Sequence, residues 1–357
     1  MTTGAGTPAV AAASARDTLR RQRRRLMDLA EERLRAFLAA EHTRWRGVGP
    51  GAVVPLEAIS ELVTAGGKRL RPAFCVSGYL AAGGDPEDPR AVPAAIALEL
   101  LHASALIHDD MMDAASHRRG LPTVHAKQTG RHRDHGWHGE PRRFGESMAV
   151  LAGDLALVYS DRFMAEVPFE IRELWGELRT ELITGQCLDI SAAAHLSTDP
   201  RLARHIALTK SGHYTVHRPL VIGAALAGRP GLAPFFEAYG TKVGEAFQLR
   251  DDLIDAFGTT TASGKPAGLD LSRRKMTLLL SLAVERDDRV RALVRAGRIE
   301  PERLRPLLAE AGVADEVERT IERLVTDGRN ALATAPLPQQ WRDELVDMAY
   351  AVAYRTT

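Results

Sequence analysis

The chain has 357 residues, 45% of them hydrophobic and 26% charged, the balance of an ordinary globular protein with enough length for a sizeable core. Lys and Arg (47) nearly cancel Asp and Glu (46) to a net charge of +1, which excludes the broad basic excess of a nucleic-acid binder. Only two cysteines are present, Cys75 and Cys187, which excludes a disulfide scaffold and Cys-built zinc or iron–sulfur sites and suits a reducing cytoplasm.

Taken in order, Met1 to Ala15 is small and polar and lacks the apolar run of a signal peptide. Residues 1–20 are expected to be disordered, leaving 21–357 as one domain. Leu19 to Leu38 is basic and amphipathic, with Leu26, Leu29, Ala30, Leu34 and Phe37 on one stripe. That pattern reads as a helix packed on the core or on a dimer partner, with a membrane-surface helix as the rival. Val92 to Ile107 is the most apolar stretch, but Pro93, Glu99, His102 and Ser104 interrupt it, so it reads as a buried core helix and not as an integral membrane segment. Pro93 and Pro234 suit first helical turns, and Gly258 stands where a helix would be capped. Breaks at 83–88, 197–200, 228–230 and 335–338 separate helical segments. Residues 125–147 read as a long surface loop; its His125, His132, His135 and His138 lack the framework that a histidine metal site needs. No period-two run stands out, so the expected fold is a single large all-α domain.

Two aspartate clusters carry the chemistry: Asp109-Asp110-Met111-Met112-Asp113 and Asp251-Asp252-Leu253-Ile254-Asp255, each closing an apolar helical run. Residues four apart share a helical face, so Asp109 pairs with Asp113 and Asp251 with Asp255. Like charges so placed repel, which points to a compensating hard cation such as Mg²⁺ that also bridges to phosphate. His102 lies on the Asp109–Asp113 stripe, and Gln248 on that of Asp251, Asp252 and Asp255. Cations cluster in Gly66-Gly67-Lys68-Arg69-Leu70-Arg71-Pro72, in Arg118-Arg119-Gly120, at Lys210-Ser211 and in Gly264-Lys265-Pro266, where Lys and Arg can take phosphate oxygens. The last of these is not a kinase-like phosphate loop, because Pro266 stands where Ser or Thr would hold magnesium.

GGKRLRP, LLHASALIHDDMMD, RRG, GD, GQ, KS, FQLRDDLID and GKPAGLD followed by Lys275 occur in that order between Gly66 and Lys275. The series resembles the trans-isoprenyl diphosphate synthases, among which bacterial geranylgeranyl diphosphate synthases look most similar. The resemblance implies an antiparallel helical bundle around a deep central cavity, a homodimer, and about three Mg²⁺ per active site. It implies that Asp109, Asp113 and Asp251, supported by Asp110, Asp252 and Asp255, hold Mg²⁺ against an allylic diphosphate. Arg118, Lys210, Ser211, Gln248, Lys265 and Lys275 would contact that substrate. Lys68, Arg71, His102 and Arg119 would form a metal-free site for isopentenyl diphosphate. The primer would be dimethylallyl, geranyl or farnesyl diphosphate. Ser211 replaces a frequent Thr, and Arg274 stands where Gly is common.

In such enzymes the product tail grows along the helix before the first DDxxD. Ala105 and Ser104 lie about 6–8 Å from Asp109, Leu101 about 12 Å and Leu98 about 16 Å. The two small residues favour geranylgeranyl diphosphate over farnesyl diphosphate; geranylfarnesyl or longer products are the alternative. A class I terpene cyclase, a head-to-head synthase and a non-catalytic partner subunit are rivals. The second DDxxD, GGKRLRP and RRG argue against the first two, and the complete set of motif aspartates against the third.

Overall fold

A computed structural model describes residues 8–258, 268–297 and 300–356. It is built from helices α1 (Pro8–Trp45), α2 (Pro50–Thr64), α3 (Leu70–Ala81), α4 (Val92–Met112), α5 (Val124–Asp134), α6 (Pro141–Met164), α7 (Arg172–His195), α8 (Pro200–Ile206), α9 (Arg218–Leu226) and α10 (Ala233–Phe257). Shorter helices and two long ones, Val313–Ala333 and Gln339–Ala353, complete the bundle. Prolines open several of these helices, including α2, α4, α6 and α10, where a missing N–H costs nothing.

Helix α4 is the centre of one core. It packs on α6, α3, α1 and α2, and its Val92–Leu98 turns are buried all round. It is also the one described stretch (Pro89–Met112) long and apolar enough to cross a membrane, and 72% of its 18-residue apolar window is buried within the protein, as a core helix requires. Helix α10 packs between Val313–Ala333 and an eleven-residue π-helix, Ala207–His217, that joins α8 to α9. A second core lies beyond it, formed by Leu249, Leu253 and the helices after residue 268. These packings bring the ends of α4 and α10 onto one cavity.

Two expectations are corrected. Residues 1–20 are not disordered throughout: α1 starts at Pro8, Leu19 is buried, and Arg20 and Arg23 lie 3.0 and 2.8 Å from the buried carboxylate of Glu344. Arg20 and Arg23 are thereby tied to the C-terminal helix. The 125–147 segment is not a loop either but the facing ends of α5 and α6, with a turn only at 135–140. Glu140 caps α6 by accepting from the N–H groups of Arg142 and Arg143 (2.9 and 2.6 Å). His132 is buried against Trp137 and Phe144, and His135 also packs on Trp137, so two of the four histidines belong to a small aromatic cluster.

RRG adopts structure that period-two scanning could not find. His117–Arg118 and Leu121–Pro122 pair antiparallel as two-residue strands. Their turn has Arg119 at φ 52° and Gly120 at φ 78°, the double left-handed geometry of a tight hairpin.

Candidate active site

A cavity of ≈ 440 Å³ opens between α4, α7, the π-helix and α10. Its walls collect most of the residues expected from sequence: Lys68, Arg71, His102, Ala105, Asp109, Asp113, Arg118, Arg119, Lys210, Ser211, Gln248, Asp251, Asp255 and Lys275. Close backbone approaches set these positions. A Cβ on Gly185 of α7 would stand 2.5 Å from the Lys210 nitrogen, and one on Gly244 of α10 would stand 2.5 Å from the Gly212 oxygen. Only glycine at both places lets the π-helix sit this deep between its neighbours. Its widened turn then presents Lys210, Ser211 and Tyr214 to the cavity together.

One wall is a cation cluster without carboxylate stripes. Arg119 donates to the Gly66 carbonyl, and a Cβ on Gly67 would lie 3.1 Å from the Arg119 guanidinium, so the glycine pair admits the hairpin to the GGKRLRP loop. Arg71 is buried and stacks 4.1 Å over the Tyr214 ring. His102 Nδ1 is 3.1 Å from the Tyr214 hydroxyl. Burial, then the charges of Arg71, Arg118 and Arg119, push the imidazole well below its ordinary pKa, so it is neutral near pH 7. Burial and then Arg355 lower Lys68. Cations held this close repel one another, a repulsion that binding of an anion would relieve.

The other wall holds the aspartates. Lys210 Nζ donates to Asp189 (2.6 Å) and Asp109 (3.1 Å), and Gln186 donates to Asp109 (3.3 Å). Burial opposes the charge on Asp109, but Lys210, Lys275 and Arg118 outweigh it and hold the group below the usual carboxylate range. Asp113 is shifted upward by burial and by Asp109, against the pull of Arg273, whose Nη1 is 3.0 Å from its Oδ2. Arg355 pairs with Asp251 and covers Phe247. The Asp270 N–H donates to Asp255 Oδ2 (3.0 Å). Lys275 is half-buried; desolvation opposes its charge, but Asp270, Asp189, Asp252 and Asp109 raise it well above its ordinary value.

Several expected residues are placed elsewhere. Asp110 faces away from the cavity and takes two hydrogen bonds from Arg118 (2.6 and 2.7 Å). Asp252 is buried behind α10, accepts from Gln248 (2.8 Å) and is pushed up to about 7 by burial. Neither lines the cavity as a ligand of a metal would. Ser104, Leu101 and Leu98 are buried in the core, off the cavity wall; of the four positions expected to limit product length, Ala105 alone lines it. Angle accounts for Ser104, which 100° per residue turns well away from His102, Ala105 and Asp109; Leu98 and Leu101 lie on or beside that face but deeper along α4, where the core closes over them. Lys265 lies outside the described residues.

Other residues were missed. Asp189 follows Gln186 by three positions on α7, and Tyr214 follows Lys210 by four, so helical spacing from a named motif could have found both. Arg273 and Arg355 carried no such signal.

Among the described residues no three His, Cys, Asp or Glu side chains converge as a finished metal cage. The donor set nonetheless fits Mg²⁺. That ion keeps several waters and takes one or two carboxylates plus substrate phosphate, and Asp109 with Asp113 from α4 and Asp251 with Asp255 from α10 offer such pairs to one cavity.

Comparison with known proteins agrees with this geometry. A family model described as polyprenyl synthetase matches residues 54–309. A short chain isoprenyl diphosphate synthase of Methanothermobacter thermautotrophicus is 31% identical over 305 residues, 83% of this chain and 82% of that protein. A geranylgeranyl diphosphate synthase of Cyanophora paradoxa is 34% identical over 62% of this chain and 72% of its own length. Among solved structures, a geranylgeranyl pyrophosphate synthase from Corynebacterium glutamicum, complexed with isoprenyl diphosphate and magnesium, superposes with a TM-score of 0.87 at 35% identity, covering 92% of this chain and 98% of that one. The matched length, the helical bundle and the paired aspartate stripes together establish that the chain belongs to the polyprenyl synthetase family, the trans-isoprenyl diphosphate synthases.

Proposed function

We propose that the protein is a Mg²⁺-dependent prenyltransferase that condenses isopentenyl diphosphate head-to-tail with an allylic diphosphate, giving geranylgeranyl diphosphate. The observation that carries this reading is the division of one cavity into a carboxylate wall and a wall of bases. The diphosphate that must leave meets Asp109, Asp113, Asp251 and Asp255; the one that must stay meets Lys68, Arg71, Arg119 and neutral His102. Bound between the aspartate pairs, Mg²⁺ would neutralise charge gathering on the departing diphosphate.

The chain's own groups do the rest. Lys210, Arg118 and Lys275 hold the allylic diphosphate oxygens, so the C–O bond breaks with its electron pair leaving on diphosphate. The double bond of isopentenyl diphosphate attacks the allylic carbon, a C–C bond forms, and the released diphosphate takes the proton lost from the adduct. Ser211, Gln248, Tyr214 and Phe247 line the space where positive charge passes, and Leu106, Leu182 and Ile254 keep its apolar side dry.

Product length is assigned on Ala105, a small side chain on the cavity wall one turn before Asp109. Reaction with dimethylallyl, geranyl and farnesyl diphosphate as primers should converge on a C20 product. Ala105→Phe should shorten that product; an unchanged product distribution would remove Ala105 as a determinant. A homodimer is proposed on the outer faces of α6 and α7, where Leu151, Val158, Ile183 and Ile190 are exposed together with Cys187. Cys75 and Cys187 are both free thiols, which supports a cytoplasmic setting.

A further inference from the structure

The turn after the second aspartate helix reaches back to the first. Its residues are fixed on α10: the Gly268 N–H donates to the Asp255 carbonyl (2.8 Å) and the Asp270 N–H to the Asp255 carboxylate (3.0 Å). A short helix, Leu269–Ser272, then ends at Arg273. Arg274 turns the chain in the left-handed region (φ 56°), with its N–H donating to the Leu271 carbonyl (3.0 Å). This geometry aims Arg273 at Asp113, on the far side of the cavity mouth, with Nη1 3.0 Å from Oδ2.

The pair is partly shielded, with side-chain exposures of 21% and 33%. It is held by charge alone: Nη1 is buried and enters no aligned hydrogen bond. Such a contact lacks the directional component of a bidentate Arg–carboxylate pair and yields readily to a stronger cation. Asp110, one turn back, shows the contrast, because Arg118 grips it through two aligned bonds. Asp113 also faces Asp109 on the same stripe, so it needs a positive neighbour whether or not a metal is bound.

We propose that Arg273 is a positioning residue, a tethered counter-ion that holds Asp113 in competition with the divalent cation and thereby links the two aspartate stripes. The role rests on the Mg²⁺-dependent reading of the cavity. When a divalent cation takes Asp113, the guanidinium is displaced, and the turn that carries Asp270 and Lys275 is freed from α4 while remaining bonded to Asp255. Occupation of the first stripe is thus coupled to the position of cations on the second.

The test uses the full-length protein without substrate, with Mn²⁺ as the divalent probe and the free-ion electron paramagnetic resonance signal as the readout. Arg273→Gln should bind Mn²⁺ about two- to fivefold more tightly than wild type. It should also show a larger rise in melting temperature on adding Mn²⁺, because the metal-free form has lost its counter-ion. Arg273→Lys, which keeps the charge, should resemble wild type and controls for folding damage. Equal or weaker Mn²⁺ binding by Arg273→Gln, beside a wild type that binds the ion and elongates a primer, overturns the counter-ion role alone. A wild type that neither binds Mn²⁺ nor elongates a primer overturns the functional reading, and this role with it.

Discussion

The two aspartate clusters have the same spelling and different surroundings. At the end of α4, Asp109 and Asp113 face the cavity, while Asp110 turns away into a two-bond grip by Arg118. At the end of α10, Asp251 and Asp255 face the cavity, while Asp252 is buried under Gln248. The first cluster spends its middle aspartate on a guanidinium that must stay charged. The second spends it on a carboxyl that burial pushes toward neutrality. The lesson is that DDxxD specifies two cavity-facing carboxylates; the residue between them is recruited locally to hold the wall in place.

That contrast can be broken at four points. The largest effect is expected on the outer aspartates. Asp109→Ala or Asp251→Ala should lower turnover by about 100- to 1,000-fold or more while circular dichroism keeps its helical signal. Next comes Asp110→Asn, which removes the charge that grips Arg118 and one of its two hydrogen bonds, leaving Asp109, 3.7 Å away, as its nearest carboxylate. Denaturant titration should show a loss of about 1.5–3 kcal/mol. Asp252→Asn should cost under about 1 kcal/mol in the same titration, since the amide can still accept from Gln248 and no charge is stranded. Equal losses for Asp110→Asn and Asp252→Asn would erase the distinction between the clusters. The smallest effect belongs to Arg274→Gly. Removing the side chain from a left-handed residue should raise stability by about 0.5–1 kcal/mol, read as a shift in the denaturation midpoint.

Much of this was legible in the sequence, for reasons that particular residues make plain. The α4 and α10 stripes could be read because helical spacing fixes which side chains share a face, and His102, Asp109 and Asp113 fall on it as expected. The same rule, applied strictly, would have removed Ser104 from the cavity but not Leu98, which shares that face and is off the wall because it lies deeper along α4. Asp110 was not separable from its neighbours, because its direction is decided by where Arg118 arrives from a hairpin of two-residue strands. The α5–α6 junction was hidden by its composition: His, Arg and Gly dominate it, and its order comes from a Glu140 cap and an aromatic cluster. The π-helix left no periodic trace, since its widened turn is set by glycine contacts with α7 and α10. Arg273 and Arg355 reach the aspartates from distant turns, which only tertiary structure reveals.

The most direct test of the proposed chemistry is incorporation of labelled isopentenyl diphosphate by the wild-type protein, with farnesyl diphosphate as primer, in Mg²⁺ and again in excess chelator. The expected result is one added five-carbon unit per primer in Mg²⁺ and none in chelator. Release of diphosphate from the primer without any uptake of isopentenyl label, as a cyclase would give, would contradict it.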